Sequence, residues 1–262
     1  MLRIIVCIKQ VPETQEVRLD PETHTLKREG IKSIINPFDL YALEEGLRVK
    51  EAKGGTVTLI TMGPPQAEEA LREALGYGAD AAVLISDLAF AGADTWATAL
   101  TLARAIGKLG GADLIFTGKQ AIDGDTAQVG PMLATILGLP YVAWARKISF
   151  TADNTLEIER LLDHGYDAVA VDLPAVVSVV KEINEPRVPS FKAKLKAKKE
   201  AIPTWGLADV DLPPAAVGLA GSFTQVVKVF PPPPRGESEV WEGSGHDLAA
   251  RLWGRLKELG RR

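Results

Sequence analysis

The densest run of chemically useful residues is Gly118, Lys119, Gln120, Ala121, Ile122, Asp123, Gly124, Asp125, Thr126, Ala127, Gln128, Val129 and Gly130. It follows an apolar run at 113–117 and leads into residues of helical period. That context is a strand-to-helix turn at the carboxyl edge of a parallel sheet, where open α/β sheets bind ligands. Gly118, Gly124 and Ala127 leave room for a ligand to approach backbone. With a helix over Thr126–Leu137, Thr126, Ala127 and Gln128 would present free N–H groups, a ready anion site. Asp123 would suit a ribose hydroxyl. The same letters also spell an ordinary capped loop, with Asp125 and Gln128 forming a capping box and Asp123-Gly124-Asp125 making the turn. The residues alone leave both readings open. Two carboxylates without further ligands are too few to argue for Mg²⁺.

Two more strand-to-helix junctions converge on the same edge if the strands are parallel. Asn36-Pro37-Phe38-Asp39 opens a helix, with Asn36 as N-cap and Pro37 as first helical residue. The Asn36 amide would otherwise reach an adenine edge or a neighbouring backbone group. Met62-Gly63-Pro64-Pro65 is the third junction. Gly76-Tyr77-Gly78-Ala79-Asp80-Ala81 has dinucleotide-fingerprint spacing in the wrong context, since it ends a helix and precedes a strand. Cys7, the single cysteine, sits in an apolar run and reads as a buried thiol. His24, His164 and His246 are far apart in turn-like contexts and read as surface residues. No nucleophile, metal set or general-base pair stands out, which favours binding or electron carriage over catalysis by side chains.

The lysines 192, 194, 196, 198 and 199 form a separate group. Read as extended chain, their spacing puts four on one face, either guarding an edge strand or steering an acidic partner. Phe191 and Leu195 would be the contact anchors.

Alternating periods supply the frame for these groups. Strands are predicted over 2–8, 56–61, 81–85 and 113–117, and helices over 36–52, 65–75, 94–109 and 126–137. That alternation gives an α/β fold, a mostly parallel sheet with helices on both faces. After Pro140, strand-like runs at 142–150, 156–162, 168–172 and 175–180, with turns at Asp153-Asn154 and His164-Gly165, read as an antiparallel extension. Nine of the 17 prolines lie between Pro186 and Pro234, including Pro231–Pro234, so no element of normal length fits comfortably there. Trp205, Leu207, Val210, Leu212, Phe223 and Phe230 make that stretch too apolar for a linker, so it reads as an arm laid on its own domain or on a partner. Residues 245–259 read as a terminal helix. The division expected is 1–185, a nucleotide-binding domain, and 186–262, a docking segment and arm.

With 262 residues and 46% hydrophobic content, the chain can build a core without disulfides. A net charge of −4 argues against nucleic acid as a partner. The unpaired thiol, and the lack of an apolar stretch long enough for a signal h-region or a membrane span, predict a cytoplasmic protein without membrane insertion.

The stretches VCIKQVP, INPFDLYALEEGLRVKE, TMGPPQAEEALREALGYGAD, GKQAIDGDTAQVGP, LPAVVSV, INEPRVPS and KAKKE, in this order over nearly the whole chain, resemble the β (small) subunit of electron transfer flavoprotein. The resemblance implies an adenine-nucleotide α-hydrolase-like fold paired with an α subunit that holds most of a redox FAD. It implies AMP in the β subunit against Cys7, Asn36, Pro37, Phe38, Asp39, Met62 and the residues from Gly118 to Val129. It further implies dehydrogenase docking through about 186–199, including Phe191, Lys192, Lys194, Leu195 and Lys196, and an arm that embraces the α subunit. Electrons would pass from flavin dehydrogenases, acyl-CoA dehydrogenases in particular, to a quinone reductase.

Gly124-Asp125-Thr126-Ala127-Gln128-Val129-Gly130-Pro131 departs from many AMP-binding relatives and resembles the electron-bifurcating branch, in which a second FAD takes the place of AMP. His164, Gly165 and Tyr166 also depart from the family pattern. A stand-alone ATP-binding stress-type protein of the same fold is the alternative from another class, and the arm speaks against it. An ATP-using ligase would need a phosphate loop after the first strand, and residues 7–14 contain none.

Overall fold

The computed structural model describes residues 1–13, 32–152, 154–228, 230 and 238–260. His24, Asp153 and Pro231–Pro234 lie outside them. Two compact units emerge, Met1–Val227 and Lys228–Arg262.

The strands are β1 (Leu2–Cys7), β2 (Gln10–Pro12), β3 (Ser33–Ile35), β4 (Gly55–Met62), β5 (Ala81–Ile85), β6 (Leu114–Gly118), β7 (Tyr141–Ala152), β8 (Thr155–Leu162), β9 (Gly165–Asp172), β10 (Ala175–Val179) and β11 (Thr204–Trp205). The helices are α1 (Pro37–Lys53), α2 (Glu68–Leu75), α3 (Thr95–Lys108), α4 (Val129–Leu137), α5 (Phe191–Ala197), α6 (Leu207–Val210) and α7 (Gly245–Leu259).

Nine strands form one sheet in the order β11-β5-β4-β1-β6-β10-β7-β8-β9. Every neighbour from β11 to β7 is parallel, and β7, β8 and β9 form an antiparallel meander. The continuous apolar runs are explained by burial on both faces. Ile4 and Val6 pack with Leu43 and Leu47 of α1, Leu71 of α2, Leu59 and Phe116. Their sequence neighbour Ile5 packs on the other side with Leu102 and Ile106 of α3, Leu133 of α4, Ile60 and Ile115. A separate two-stranded ribbon pairs β2 with β3.

Three sequence expectations change. The run at 175–180 does not join the antiparallel extension, because β10 inserts in parallel between β6 and β7. All five of its residues are buried, as a central strand requires, whereas an edge strand would alternate with polar residues. The helix expected from Thr126 begins at Val129, and Asp125 does not cap it. Asp125 and Ala127 stand in the left-handed region (φ 52° and 55°), which turns the chain away from helix. The lysine run is not extended. It forms α5, capped by the Ser190 hydroxyl accepting from the Ala193 N–H. Lysine, alanine and leucine are all good helix formers, so their alternation carried no strand information.

Beyond α5 the chain returns to the sheet. β11 adds to the β5 edge, and Val210, Leu212 and Val217 join the α3-side core. Asp94 caps α3 at the Ala97 N–H and also accepts from the Thr224 N–H and hydroxyl, fixing the end of this stretch. In the second unit α7 matches its expected span, with Leu252, Trp253, Leu256 and Leu259 exposed.

Candidate functional site

The carboxyl ends of β1, β4 and β6 meet the start of α1 and the loop 119–128. Asn36 is the hub. It is 1% exposed and makes no side-chain cap on α1. Its Nδ2 donates to Asp39 Oδ1 (2.9 Å) and to the Gln120 carbonyl (2.8 Å), and its Oδ1 accepts from the Ile122 N–H (3.1 Å). The amide therefore stitches the first junction to the 119–128 loop, instead of capping its own helix.

Asp39 is held in the same knot. Its Oδ2 accepts from the Lys9 N–H at 2.7 Å. Burial pushes its carboxyl up to about 7, against the downward pull of bonds from Asn36, Lys9 and the Gly118 amide. Gly118 is required here by space. A Cβ would meet Asp39 Oδ1 and stand 2.7 Å from Phe38 Cβ. Cys7 is buried, and burial, followed by the Asp39 charge, pushes its thiol well above the usual range. Its environment therefore favours the neutral thiol over the thiolate that nucleophilic chemistry uses. Met62 is half-buried and packs against the same cluster as Cys7. Pro37 and Phe38 are also half-buried, in the first turn of α1.

The loop has a closed root and an open tip. Lys119 bonds through its N–H to the Val179 carbonyl, and its ammonium lies 4.8 Å from the Trp144 ring centroid. Lys119, Gln120, Ala121, Ile122, Ala127 and Val129 are half-buried, while Asp123, Gly124, Asp125, Thr126 and Gln128 are exposed. Lys9 Nζ bridges both oxygens of Asp123 at 2.7 Å, Gln120 Nε2 bonds Asp125, and Thr95 Oγ1 lies 3.1 Å from Gln128 Oε1. Ala127 is left-handed and Gln128 right-handed, and such alternation turns successive N–H groups toward one point, a concavity suited to an anion. Among the described residues, the amides of Thr126, Ala127 and Gln128 donate to no protein acceptor.

Behind the loop lies a polar wall that sequence reasoning missed. Tyr141 OH donates to Ser178 Oγ (2.8 Å), which also accepts from the Trp144 N–H (3.1 Å). Thr117 is 7% exposed, and its hydroxyl has no partner among the described residues. Gly130 stands so close that a Cβ would be 3.0 Å from Thr117 Oγ1 and 3.2 Å from Tyr141 OH. Thr117, Trp144, Tyr141 and Ser178 come from β6, β7 and β10, and only the strand order brings them together, with Gly130 of α4 against them.

An anionic group suits this set of donors. The loop amides offer an anion cradle, and Thr117 adds a buried hydroxyl with no partner among the described residues. Among the described residues no group of His, Cys, Asp or Glu is placed to hold a metal ion. His164 and His246 are exposed.

The lysine group lies elsewhere, with Lys192, Lys194 and Lys196 on α5 and Lys198 and Lys199 just past its end. Phe191 and Leu195 are exposed and one helical turn apart, forming an apolar ridge. Lys192 and Lys196 flank one side of this ridge and Lys194 the other, by helix geometry.

Fold and site thus define a mostly parallel α/β protein with a strand-to-helix loop, knotted through Asn36 and Asp39, at the carboxyl edge of its sheet. A family model described as the electron transfer flavoprotein domain matches residues 23–210. The chain is 47% identical over 259 residues, 98% of each chain, to a protein of Acetobacterium woodii named "Caffeyl-CoA reductase-Etf complex subunit CarD". It is 47% identical over 256 residues to "Electron transfer flavoprotein subunit beta" of Thermoanaerobacterium thermosaccharolyticum, covering 97% of this chain and 98% of that one. "Protein FixA" of Bradyrhizobium diazoefficiens is also 47% identical over 256 residues, covering 95% of this chain and 88% of that one. The chain belongs to the electron transfer flavoprotein family, with β subunits among its full-length relatives. No helix among the described residues is long and apolar enough to cross a membrane.

Proposed function

We propose that the chain is the β subunit of a heterodimeric electron transfer flavoprotein, whose α subunit holds most of the FAD. It takes electrons from flavin dehydrogenases, such as acyl-CoA dehydrogenases, and hands them through the complex to a quinone reductase, in the cytoplasm. The flavin supplies the one- and two-electron chemistry when bound. This chain's residues bind, orient and exclude water. The crevice holds AMP: the amides of Thr126, Ala127 and Gln128 take the phosphate, and Cys7, Phe38 and Met62 flank the base. Asn36 and Asp39 hold the loop in shape. The observation that carries this reading is the cradle of unpaired amides at 126–128 on the sheet edge of a chain from this family.

A second FAD in place of AMP is the alternative, favoured by the open tip of the loop, where nothing lies within 4 Å of a Cβ added to Gly124. Co-expression with the α subunit, purification and chromatography of the released nucleotides separates the two. One FAD and one AMP per complex supports AMP, two FAD supports the alternative, and no adenine nucleotide beyond the α-bound FAD overturns both.

Functionally, residues 186–199 dock the dehydrogenase, and the arm together with α7 embraces the α subunit. Steering by the α5 lysines predicts a rate effect. Replacing Lys192, Lys194 and Lys196 together by glutamine is expected to slow reduction by a dehydrogenase several-fold at about 20 mM salt. The difference shrinks at high salt, where exposed charges are screened. Flavin content is unchanged. Stopped-flow reduction across a salt series tests this, and equal rates at every salt concentration refute steering.

A further inference from the structure

We propose that Arg72 is a positioning residue for the docking helix: it closes the carbonyl end of α5 and fixes the helix's order and direction before a partner arrives. The inference rests on the docking reading above.

Left to itself, α5 would not hold. It has seven residues, and helices that short are unstable alone in water. Its lysines also repel one another at four-residue spacing, Lys192 with Lys196 and Lys194 with Lys198. Its order therefore comes from what it touches. Ser190 caps one end. Ala197 is 3% exposed and packs into the core cluster that contains Ala70, Leu71 and Ala74 of α2. The other end meets Arg72. Arg72 Nη1 donates to the carbonyls of Ala197 (2.9 Å), Lys198 (3.1 Å) and Glu200 (3.2 Å), at a helix end where the Ala197 carbonyl otherwise has only the Glu200 N–H at 3.3 Å. Nη2 pairs with Glu68 one turn back on α2, which aims the guanidinium and offsets its charge. One side chain of the sheet-packed helix α2 thus gathers three carbonyls at the point where the docking helix ends.

Binding through a preordered helix avoids the cost of ordering it on contact. Loss of Arg72 therefore weakens docking and leaves the electron-transfer step alone. The test uses the αβ complex with Arg72→Met and Arg72→Lys, reduced by a butyryl-CoA dehydrogenase with butyryl-CoA, at low and high salt. Amide hydrogen exchange is followed over 191–200 in the same samples. For Arg72→Met the expected result is a rise in KM for the complex of about ten-fold at both salts, with kcat within about two-fold. Exchange over 191–200 is faster, and flavin content is unchanged. Arg72→Lys, whose ammonium can still donate to the carbonyls, recovers most of the KM. A KM rise that vanishes at high salt would make Arg72 a steering charge and overturn the proposal, as would unchanged exchange over 191–200. If the unmodified complex is not reduced at all, the docking reading itself has failed, and the exchange comparison still decides whether Arg72 orders α5.

Discussion

Gly118→Ala is expected to cost about 4 kcal/mol or more, a large part of the roughly 5–15 kcal/mol that holds a typical domain together. The added Cβ meets Asp39 Oδ1 and stands 2.7 Å from Phe38 Cβ and 2.8 Å from the Phe38 carbonyl carbon. Neither neighbour can yield. Phe38 contributes backbone in the first turn of α1, and Asp39 is pinned by the Lys9 N–H and by Asn36. Overpacking alone costs about 1–3 kcal/mol. Pushing Asp39 off its donors strips a buried carboxyl of hydrogen bonds, which adds about 1–3 kcal/mol. Thermal unfolding should show a fall in Tm of roughly 8–16 °C at the ~2–4 °C per kcal/mol of a chain this size. Gly124→Ala, in the same loop but with open space around its Cβ, is the control and should stay within about 0.5 kcal/mol of the parent. Equal stability of the two variants would refute the packing argument.

Arg187→Met is the second large effect. Glu44 is only 4% exposed, and Arg187 meets it through its backbone N–H (3.1 Å), Nε (2.8 Å) and Nη2 (3.2 Å). The same guanidinium also pairs with Glu51. Beside it, Asn184 donates to Glu45 and to the Tyr41 carbonyl, so residues 184–187 are strapped along α1. Removing a partner from a buried pair costs about 3–5 kcal/mol. Arg187 is 32% exposed and Arg48 still meets Glu44, so about 2–3 kcal/mol is expected here. The pH dependence has a definite sign. Although burial alone would raise it, bonds to Arg187 and Arg48 hold the Glu44 carboxyl below its ordinary 4.5. Glu51 is lowered by Arg187 as well. A carboxylate with a depressed folded value adds stability that is full above the unfolded value and is lost as pH falls through the folded one. The gap between parent and variant should therefore be widest above the ordinary 4.5 and narrow as pH falls below it. Urea titrations at several pH values measure it, and a gap independent of pH would contradict the pairing.

Much of this was legible in local sequence, and the exceptions share a cause. The runs at 81–85 and 245–259 become β5 and α7 with the same bounds, because each carries one period and clear punctuation. The convergence of the Asn36 and Gly118 junctions was readable too, since parallel strands bring their turns to one edge. What Asn36 does there was not readable. Its partners Gln120 and Ile122 lie 84 and 86 residues away, and an Asn before a Pro looks like a cap wherever its side chain finally points. Lys9 and Asp123, 114 residues apart, were hidden for the same reason. Tyr141, Ser178 and Thr117 meet only because β10 sits between β6 and β7, an order no local pattern encodes. The Asp125 capping box failed because two residues took left-handed backbone, which a sequence motif for caps does not register.

The insertion of β10 also sets a timetable for synthesis. A chain made from its N-terminus can pair β1, β4, β5 and β6 early, but the free edge of β6 waits for a strand that begins about 60 residues later, at Ala175. At the usual ~5–20 residues per second, that edge stays open for roughly 3–12 s on the ribosome. Leu114, Ile115 and Phe116, wholly buried in the finished sheet, make up that edge strand. Unpaired apolar edges of this kind invite association with other chains. The period of greatest aggregation risk thus falls before residue 179 has left the exit tunnel, and slowing translation between Gly118 and Ala175 would lengthen it.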